Sequence, residues 1–479
     1  MYKAISNLKR RRPSIVPLAT ALSMIVLGGC ASFSQDGGFA SVERTARERL
    51  GKEVKWARTD GDQNALDQRV AELLAEPLTV DAAVQIALFN NKGLQASFFE
   101  LGISEADLVQ AGRLPNPAFA MLRARNGDEY KIEQALTFNI FSLITLPQVV
   151  AIEQRRFEHS QRAVAMQMLE LGAQTRKAYY TALAADETVR YMNQVMDVAQ
   201  SSAELAQRMT QVGNFNKLQQ AREQGFYAEA ALGFARAGQL RLRAREQLTR
   251  LLGLWGQQTG FRLPERLPDL PKLPAELVDI EQLAIAQRMD VQAAKLDTQA
   301  LAKHLGLTKT TRFINVLELG PARVLEGTKS DPYKRGYEVR LELPIFDWGT
   351  ARVAKAEAIY MQAVNRAAET AINARSEVRE AYQDYRAGYD VARHYRDEIV
   401  PLKKRISEEN QLRYNGMLIG VFDLLADAQS QIISVNSYIE ALRDFWIAQA
   451  DLEMALIGKP RIDTVPKAAM AGTTGAAGR

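Results

Sequence analysis

No proline falls between Pro147 and Pro264, nor between Pro344 and Pro401, and both tracts carry apolar or small residues at seven-residue intervals. In the first tract Val164, Leu171, Ala178, Ala185, Met192, Ala199 and Ala206 recur at that spacing. Beside them runs a parallel row of Met168, Thr175, Ala182, Val189, Met196 and Ala203. The second tract repeats the pattern with Tyr360, Ala367, Ala374, Ala381, Gly388, Tyr395 and Leu402. Its parallel row is Val364, Ala371, Val378, Tyr385, Ala392, Ile399 and Ile406. Sustained heptads dictate coiled-coil packing, and small seam residues let the helix backbones approach closely. About 60 residues at 1.5 Å each predicts helices on the order of 90 Å long, far beyond the diameter of a globular domain. Such a chain is confined to long helical hairpins and to what can be built from them.

The two tracts belong to a duplication. "VQIALFNNKGLQA" (Val84–Ala96) aligns with "EQLAIAQRMDVQA" (Glu281–Ala293). Each copy then continues as a helix, a strand-like zone and a very long helix, with a period of about 200 residues. The expected organisation is a signal peptide over 1–29 and a polar leader over 30–76. The first repeat spans 77–263, a Pro-rich linker 264–276, and the second repeat 277–459. A low-complexity tail, expected to be disordered, occupies 460–479.

The amino terminus reads as an address. Of 61 basic residues, Lys3, Lys9, Arg10, Arg11 and Arg12 lie in the first 29 positions, leaving 56 against 56 acidic ones. The remainder is formally neutral, so no whole-chain field attracts nucleic acid. An apolar stretch from Ile15 to Leu27 is too short for a comfortable membrane span and suits a signal-peptide core. It ends in Leu27-Gly28-Gly29-Cys30, where Cys30 is the single cysteine of the chain. That ending resembles a bacterial lipobox, which implies a mature protein starting at a lipidated Cys30 and held to the outer membrane of a Gram-negative cell. Ala31 follows, rather than an aspartate that would suggest inner-membrane retention. Covalent lipid on Cys30 is the only attached group expected, and no cofactor is.

Before each long helix the pattern changes to period two. Tyr337, Val339, Leu341, Leu343 and Ile345 alternate with Glu338, Arg340 and Glu342. Tyr130, Ile132, Leu136, Phe138 and Ile140 likewise alternate with Lys131, Glu133, Thr137 and Asn139. Weaker partners are expected around 118–125 and 312–319. Apolar-out, polar-in strands of about ten residues are the mark of an outer-membrane barrel, while a small soluble sheet with one wet face is the alternative. Four strands are too few to close, because such barrels start at about eight, and an open edge in lipid strands its backbone polar groups. The chain is therefore expected to pool strands with copies of itself: three chains would supply twelve.

These features together resemble the outer-membrane efflux factors, the TolC-like family, over roughly 78–459. The resemblance is carried by the lipobox, the duplication, "LELPIFDWGTARVAKAEA" (Leu341–Ala358), and two hairpin tips, "GNFNKLQQAREQ" (Gly213–Gln224) and "RYNGMLIGVFDLLADAQSQ" (Arg413–Gln431). It implies a mainly α chain with a small β part. The helical hairpins would form a periplasmic α-barrel, and four strands per chain a homotrimeric, twelve-stranded transmembrane β-barrel. It further implies a passive duct in outer-membrane lipid, fed by an inner-membrane pump of the RND type through a periplasmic adaptor. In that family carboxylates and a tyrosine–arginine linkage narrow the tip. Tyr414 and Asp423 fall on the tyrosine and first-aspartate positions. Ile419 stands at the arginine position, Ala426 at the second aspartate with Asp427 one residue on, and Gln219 where many members carry a carboxylate. The implied gate is a ring of Asp423 side chains with Tyr414 nearby. The tip motif also resembles members associated with metal tolerance. A coiled-coil lipoprotein that braces the envelope without a pore is the other functional class compatible with the helices; the alternating strands argue against it.

The rest of the chain offers no enzyme. His159, His304 and His394 lack metal-ligand spacing, and no Gly-rich phosphate loop or nucleophile elbow appears. Met192 and Met196 could suit a soft metal but fall in the heptad seam, where methionine is ordinary filler. The arginines at 236, 241, 243, 245 and 250 read as a solvated or adaptor-facing surface. Tyr179, Tyr180, Trp255 and Trp446 read as packing anchors.

Overall fold

A computed structural model describes residues 32–313 and 316–459. Cys30, its lipobox and the 460–479 tail lie outside the described residues. The chain divides into two compact units, one built from Leu101–Ser160 and Leu296–Val364 with the segment ending at Gly38, the other from Phe39–Glu100, Gln161–Lys295 and the residues from Asn365 onward.

The second unit holds most of the helix. Its leader is folded: α1 (Ala40–Leu50) and α2 (Asp60–Ala75) bury Val42, Ala46, Leu66 and Val70. Gly51 ends α1 in the left-handed conformation, and Thr59 opens α2 by a reciprocal capping box with Asp62. Helix α3 (Val80–Asn90) turns directly into α4 (Lys92–Ala111). The duplicated segment repeats that turn as α7 (Ile280–Gln287) and α8 (Met289–Thr311).

Each copy then supplies one helical hairpin. In the first, α5 (Ile140–Gln211) is 72 residues long and returns through α6 (Lys217–Leu252). In the second, α9 (Thr350–His394) and α10 (Val400–Asn415) return through α11 (Val421–Ile457). The heptad seams are where the periodicity puts them. Val164, Met168, Thr175, Ala182 and Ala199 are buried in one copy and Ala374, Val378, Tyr385 and Ala392 in the other. Phe445 packs the second seam, meeting Tyr385 and Tyr389 at ring-centroid distances of 5.5 and 5.9 Å, and one core cluster holds it together with Tyr180 and Leu183 of the first copy. Leu402 and Ile406, the last members of the second seam, are exposed.

The second long helix is interrupted where the first is not. A π turn over Tyr395–Ile399 separates α9 from α10. Pro401, in the first turn of α10, cannot donate to a preceding carbonyl and its ring crowds that turn, so the helical register opens just before it.

The first unit carries one antiparallel sheet of order β1-β2-β3-β4. The strands are β1 (Ala118–Asn126), β2 (Glu129–Asn139), β3 (Leu317–Gly327) and β4 (Lys334–Leu341). Two expectations shift. The third strand starts late in the 312–319 zone, at Leu317, and runs on to Gly327, because α8 continues to Thr311 and the apolar positions of β3 are diluted by Gly320, Pro321 and Arg323. The fourth ends at Leu341, because Pro344 cannot donate to the ladder and the chain leaves the sheet there. Gly320 is fixed by close approach: a β-carbon would fall 1.7 Å from the Leu136 carbonyl oxygen of the neighbouring strand. Gly320→Ala should therefore part β2 from β3, and the expected readout is faster hydrogen exchange at Ala135 and Ala322, which pair across that seam.

Candidate functional site

The strand register sorts the sheet into two chemically distinct faces. Phe119 pairs with Leu136, Phe138 with Leu319, and Leu319 with Val339; Pro321 stands opposite Tyr337 and Leu317 opposite Leu341. Paired residues point to the same side, so these form one apolar face. Its members are solvent-exposed in the single chain: Phe119 by 65%, Tyr337 by 79% and Val339 by 54%. The opposite face carries Lys131, Glu133, Glu318, Glu326, Lys334, Glu338 and Arg340. Its bases are matched by acids: Arg340 lies 3.2 Å from Glu318 and 3.4 Å from Glu338, Lys334 is 3.4 Å from Glu326, and Lys131 is 2.9 Å from Glu133. Strands β1 and β4 are unpaired along their outer edges. A sheet exposed on both sides, apolar on one and open at both edges, is unstable as a solitary object in water.

The hairpin tips are built alike. In the first, Asn216 caps α6: its side chain accepts from the Gln219 N–H at 2.9 Å, and the Gln219 side chain accepts from the Asn216 N–H at 2.8 Å. In the second, Asp423 accepts from the Gly420 N–H at 3.2 Å and fills the same third helical position. Gln219 and Asp423 are thus equivalent capping residues, which gives both a local structural role. Asp423 is exposed, Tyr414 is 41% exposed on the incoming helix, and Ile419 is half-buried. No hydrogen bond links Tyr414 to Asp423 among the described residues. The turn itself needs Met417 in the left-handed region, at φ 58°.

A second duplicated carboxylate lies one turn further on: Asp427, which the sequence marks only as one residue past the second-aspartate position, is matched by Glu223, which the sequence reading did not single out. Glu223, buried on α6, accepts a hydrogen bond from Ser202 of α5 at 2.8 Å. Asp427, in the same place on α11, accepts one from the Asn410 amide of α10. Each ties the two arms of its hairpin just behind the tip. The signal was available: an acid four residues after Gln219 and again four after Asp423.

A third pair lies at the other end of the hairpins. In the first copy the side chains of Asn90 and Asn91 donate to the carbonyls of Leu251, Leu252 and Gly253, closing the end of α6. Arg288 aligns with Asn91 and donates to the Ala455 carbonyl at the end of α11. It is 1% exposed and held by Asp290 and Glu377, each at 2.7 Å. Burial alone would depress its pKa, but the two carboxylates outweigh that and raise it.

Of the remaining sequence candidates, Met192, Arg245, Tyr179, Tyr180 and Trp446 resolve as packing, whereas Trp255, expected to be an anchor, is 80% exposed. Met192 lies in the seam against Gly233, where a β-carbon would come within 2.7 Å of its methyl group. Arg245 stacks on Phe261 at 4.1 Å and donates to its carbonyl. Tyr180 stacks on Trp446 at 5.4 Å, whose indole donates to Pro268, and the Tyr179 hydroxyl donates to Leu78. Among the described residues no group of three potential metal ligands converges, and no helix is long and apolar enough to cross a membrane.

Burial raises the Tyr180 hydroxyl to about 12 and the Tyr179 hydroxyl also well above its usual value. The folded state keeps protons that the unfolded chain releases near pH 10, so their stabilising contribution is complete below pH 10 and is lost as pH climbs toward 12. Alkaline unfolding followed by circular dichroism should begin in that window, and Tyr180→Phe should move its onset upward.

Long hairpins, a duplicated plan and a two-faced sheet give the chain the fold of solved outer-membrane channels. No family model matches the sequence. The cobalt-zinc-cadmium resistance protein CzcC of Cupriavidus metallidurans is 28% identical over 282 residues, which cover 57% of this chain and 64% of CzcC. A membrane protein from Pseudomonas aeruginosa superposes with a TM-score of 0.67 at 19% identity, over 84% of this chain and 95% of that one. The Campylobacter jejuni CmeC outer membrane channel gives 0.66 at 17% identity, over 79% and 85%.

Proposed function

We propose that this protein is the outer-membrane channel of a tripartite efflux system: a passive, non-enzymatic duct in which three copies join their sheets into one twelve-stranded barrel. The observation that carries this is the four-stranded sheet, uncovered on both faces and unpaired at β1 and β4. With four alternating strands, the β4 of one copy meets the β1 of the next antiparallel, so the closed ring keeps a single pairing rule. The apolar face then meets lipid, and the charged face lines the lumen. In this reading the helical hairpins occupy the periplasm. There the tips would meet an adaptor and, through it, an inner-membrane RND-type pump that supplies the energy.

Cys30 carries the lipid in this reading. Ser34 donates its backbone N–H to Glu105 at 2.7 Å, which ties the amino-terminal segment to the sheet-bearing unit. Cys30→Ser should release the protein from palmitate labelling.

We assign the cargo to divalent transition-metal ions. The likeness to a cobalt-zinc-cadmium resistance protein supports this. So does the charged sheet face, where Glu129, Glu133, Glu318, Glu326 and Glu338 outnumber Lys131, Lys334 and Arg340. At the tip, three Asp423 side chains drawn toward one axis would favour cations, with Tyr414 beside them. In planar bilayers the protein should give discrete conductance steps with cation preference, and Asp423→Asn should reduce that preference. Unchanged selectivity removes Asp423 from the gate. A deletion strain should become sensitive to cobalt, zinc or cadmium; sensitivity confined to hydrophobic drugs would reassign the cargo.

A further inference from the structure

The apolar face of the sheet does not stay apolar. Two residues beyond the Phe119–Leu136–Tyr337 row, on the same side, the register places Met121, Gln134, Arg323 and Arg335. Arg123 and Arg125 follow on β1. Arg323 and Arg335 are direct cross-strand partners. Like charges so placed repel, and a folded sheet normally avoids the pairing.

Among the described residues, no carboxylate lies within ion-pair distance of Arg123, Arg323 or Arg335, and Arg125 has only Asp128 at 3.9 Å. Arg323 donates to the neutral Gln134 amide at 2.6 Å. The guanidinium groups instead rest on aromatic rings, Arg125 on Tyr130 at 5.3 Å and Arg323 on Tyr333 at 4.9 Å, which holds them flat on the surface. The contrast with the other face of the same strands is sharp, because there every lysine and arginine on the ladder has an acid beside it.

We propose that these four arginines form a docking surface for phosphate groups of outer-leaflet lipid headgroups. The proposal rests on the reading of the apolar face as lipid-facing. The arginines sit at the end of the sheet where Gly127 and Thr328 turn the strands, opposite the end from which α5 and α9 depart. If the helices enter the periplasm, that end lies at the outer leaflet, at headgroup depth above the apolar rows. Planar, always-charged guanidinium groups match phosphate oxygens in paired hydrogen bonds, and tyrosines at that depth are at home in the interface. Three chains would put twelve such groups around the barrel. A bound anion would also relieve the Arg323–Arg335 repulsion, so lipid binding and sheet stability are coupled.

The test compares full-length protein, purified in neutral detergent, with a variant carrying Arg123→Gln, Arg125→Gln, Arg323→Gln and Arg335→Gln. Diphosphorylated lipid A is titrated while the thermal unfolding midpoint is followed. Dephosphorylated lipid A and 10-fold molar excesses of inorganic phosphate serve as parallel arms. The expected result is a saturable rise in midpoint with the diphosphorylated lipid, with a half-saturating concentration at least about tenfold higher for the variant. Equal curves for the two proteins, or an equal rise with dephosphorylated lipid or inorganic phosphate, overturn it. A separate reporter distinguishes failure of the underlying reading: Val339→Trp fluorescence should be quenched by bromine-labelled acyl chains. Quenching without lipid discrimination sinks the arginine surface alone, whereas no quenching sinks the lipid-facing assignment and the surface with it.

Discussion

Val339→Lys should abolish membrane insertion, while Glu338→Lys, one residue away, should leave it intact. Val339 is in the middle of the apolar face, paired with Leu319 and flanked by Tyr337 and Leu341. A lysine at mid-bilayer depth on a barrel costs about 2–4 kcal/mol, and three copies raise that to roughly 6–12 kcal/mol per assembly. That exceeds what a marginally stable fold can absorb. Glu338 points to the charged face, where its loss removes one exposed pair with Arg340, worth about 1 kcal/mol or less. Membrane fractionation of cells expressing either variant reads the difference. Equal insertion of both would mean that the two faces have been assigned to the wrong environments.

The second large effect is expected in the helical unit. Arg288→Met should destabilise the helical unit by about 3 kcal/mol, because it leaves the part-buried carboxylates of Asp290 and Glu377 without a counter-charge and the Ala455 carbonyl without its donor. Adding Asp290→Asn and Glu377→Gln to the same chain should recover much of that loss, since the penalty comes from uncompensated charge and not from lost volume. Urea unfolding monitored by circular dichroism gives both numbers. If the single variant costs under 1 kcal/mol, the ion cluster is not what closes the end of α11.

The helices were legible from the seven-residue spacing because heptads report packing directly: Val164, Met168 and Ala199 are buried for the reason their spacing announces. The duplication was legible for a similar reason, and the structure deepens it, since Gln219 and Asp423 turn out to be the same capping position in two copies. The boundaries of β3 were less so. Period-two alternation depends on every second residue being apolar, and Gly320, Pro321 and Arg323 blur that signal over half the strand. Folding of the leader was not visible either, because α1 and α2 each bury only two side chains and otherwise read as polar.

At the candidate site the sequence identified residues and not their partners. Asp423 was recognisable as an acid at a tip, but its hydrogen bond to Gly420 follows from the helix start, which no residue count locates to the required precision. Glu223 went unremarked, and Asp427 was noted only as an offset acid, because an acid on a polar helix face looks solvated until the opposite arm of the hairpin brings Ser202 or Asn410 against it. The arginines of the apolar face were overlooked because register between strands, not spacing along one strand, places Arg323 opposite Arg335.

The claim beneath all of this is that one chain holds a third of a barrel. Native mass spectrometry of the detergent-extracted protein, released from its micelle, counts chains in the particle directly. The account requires three chains per particle, persisting when the protein is diluted well below micromolar concentration. A particle of one chain, stable and folded under the same conditions, would mean that β1 and β4 need no neighbour and that the duct does not exist.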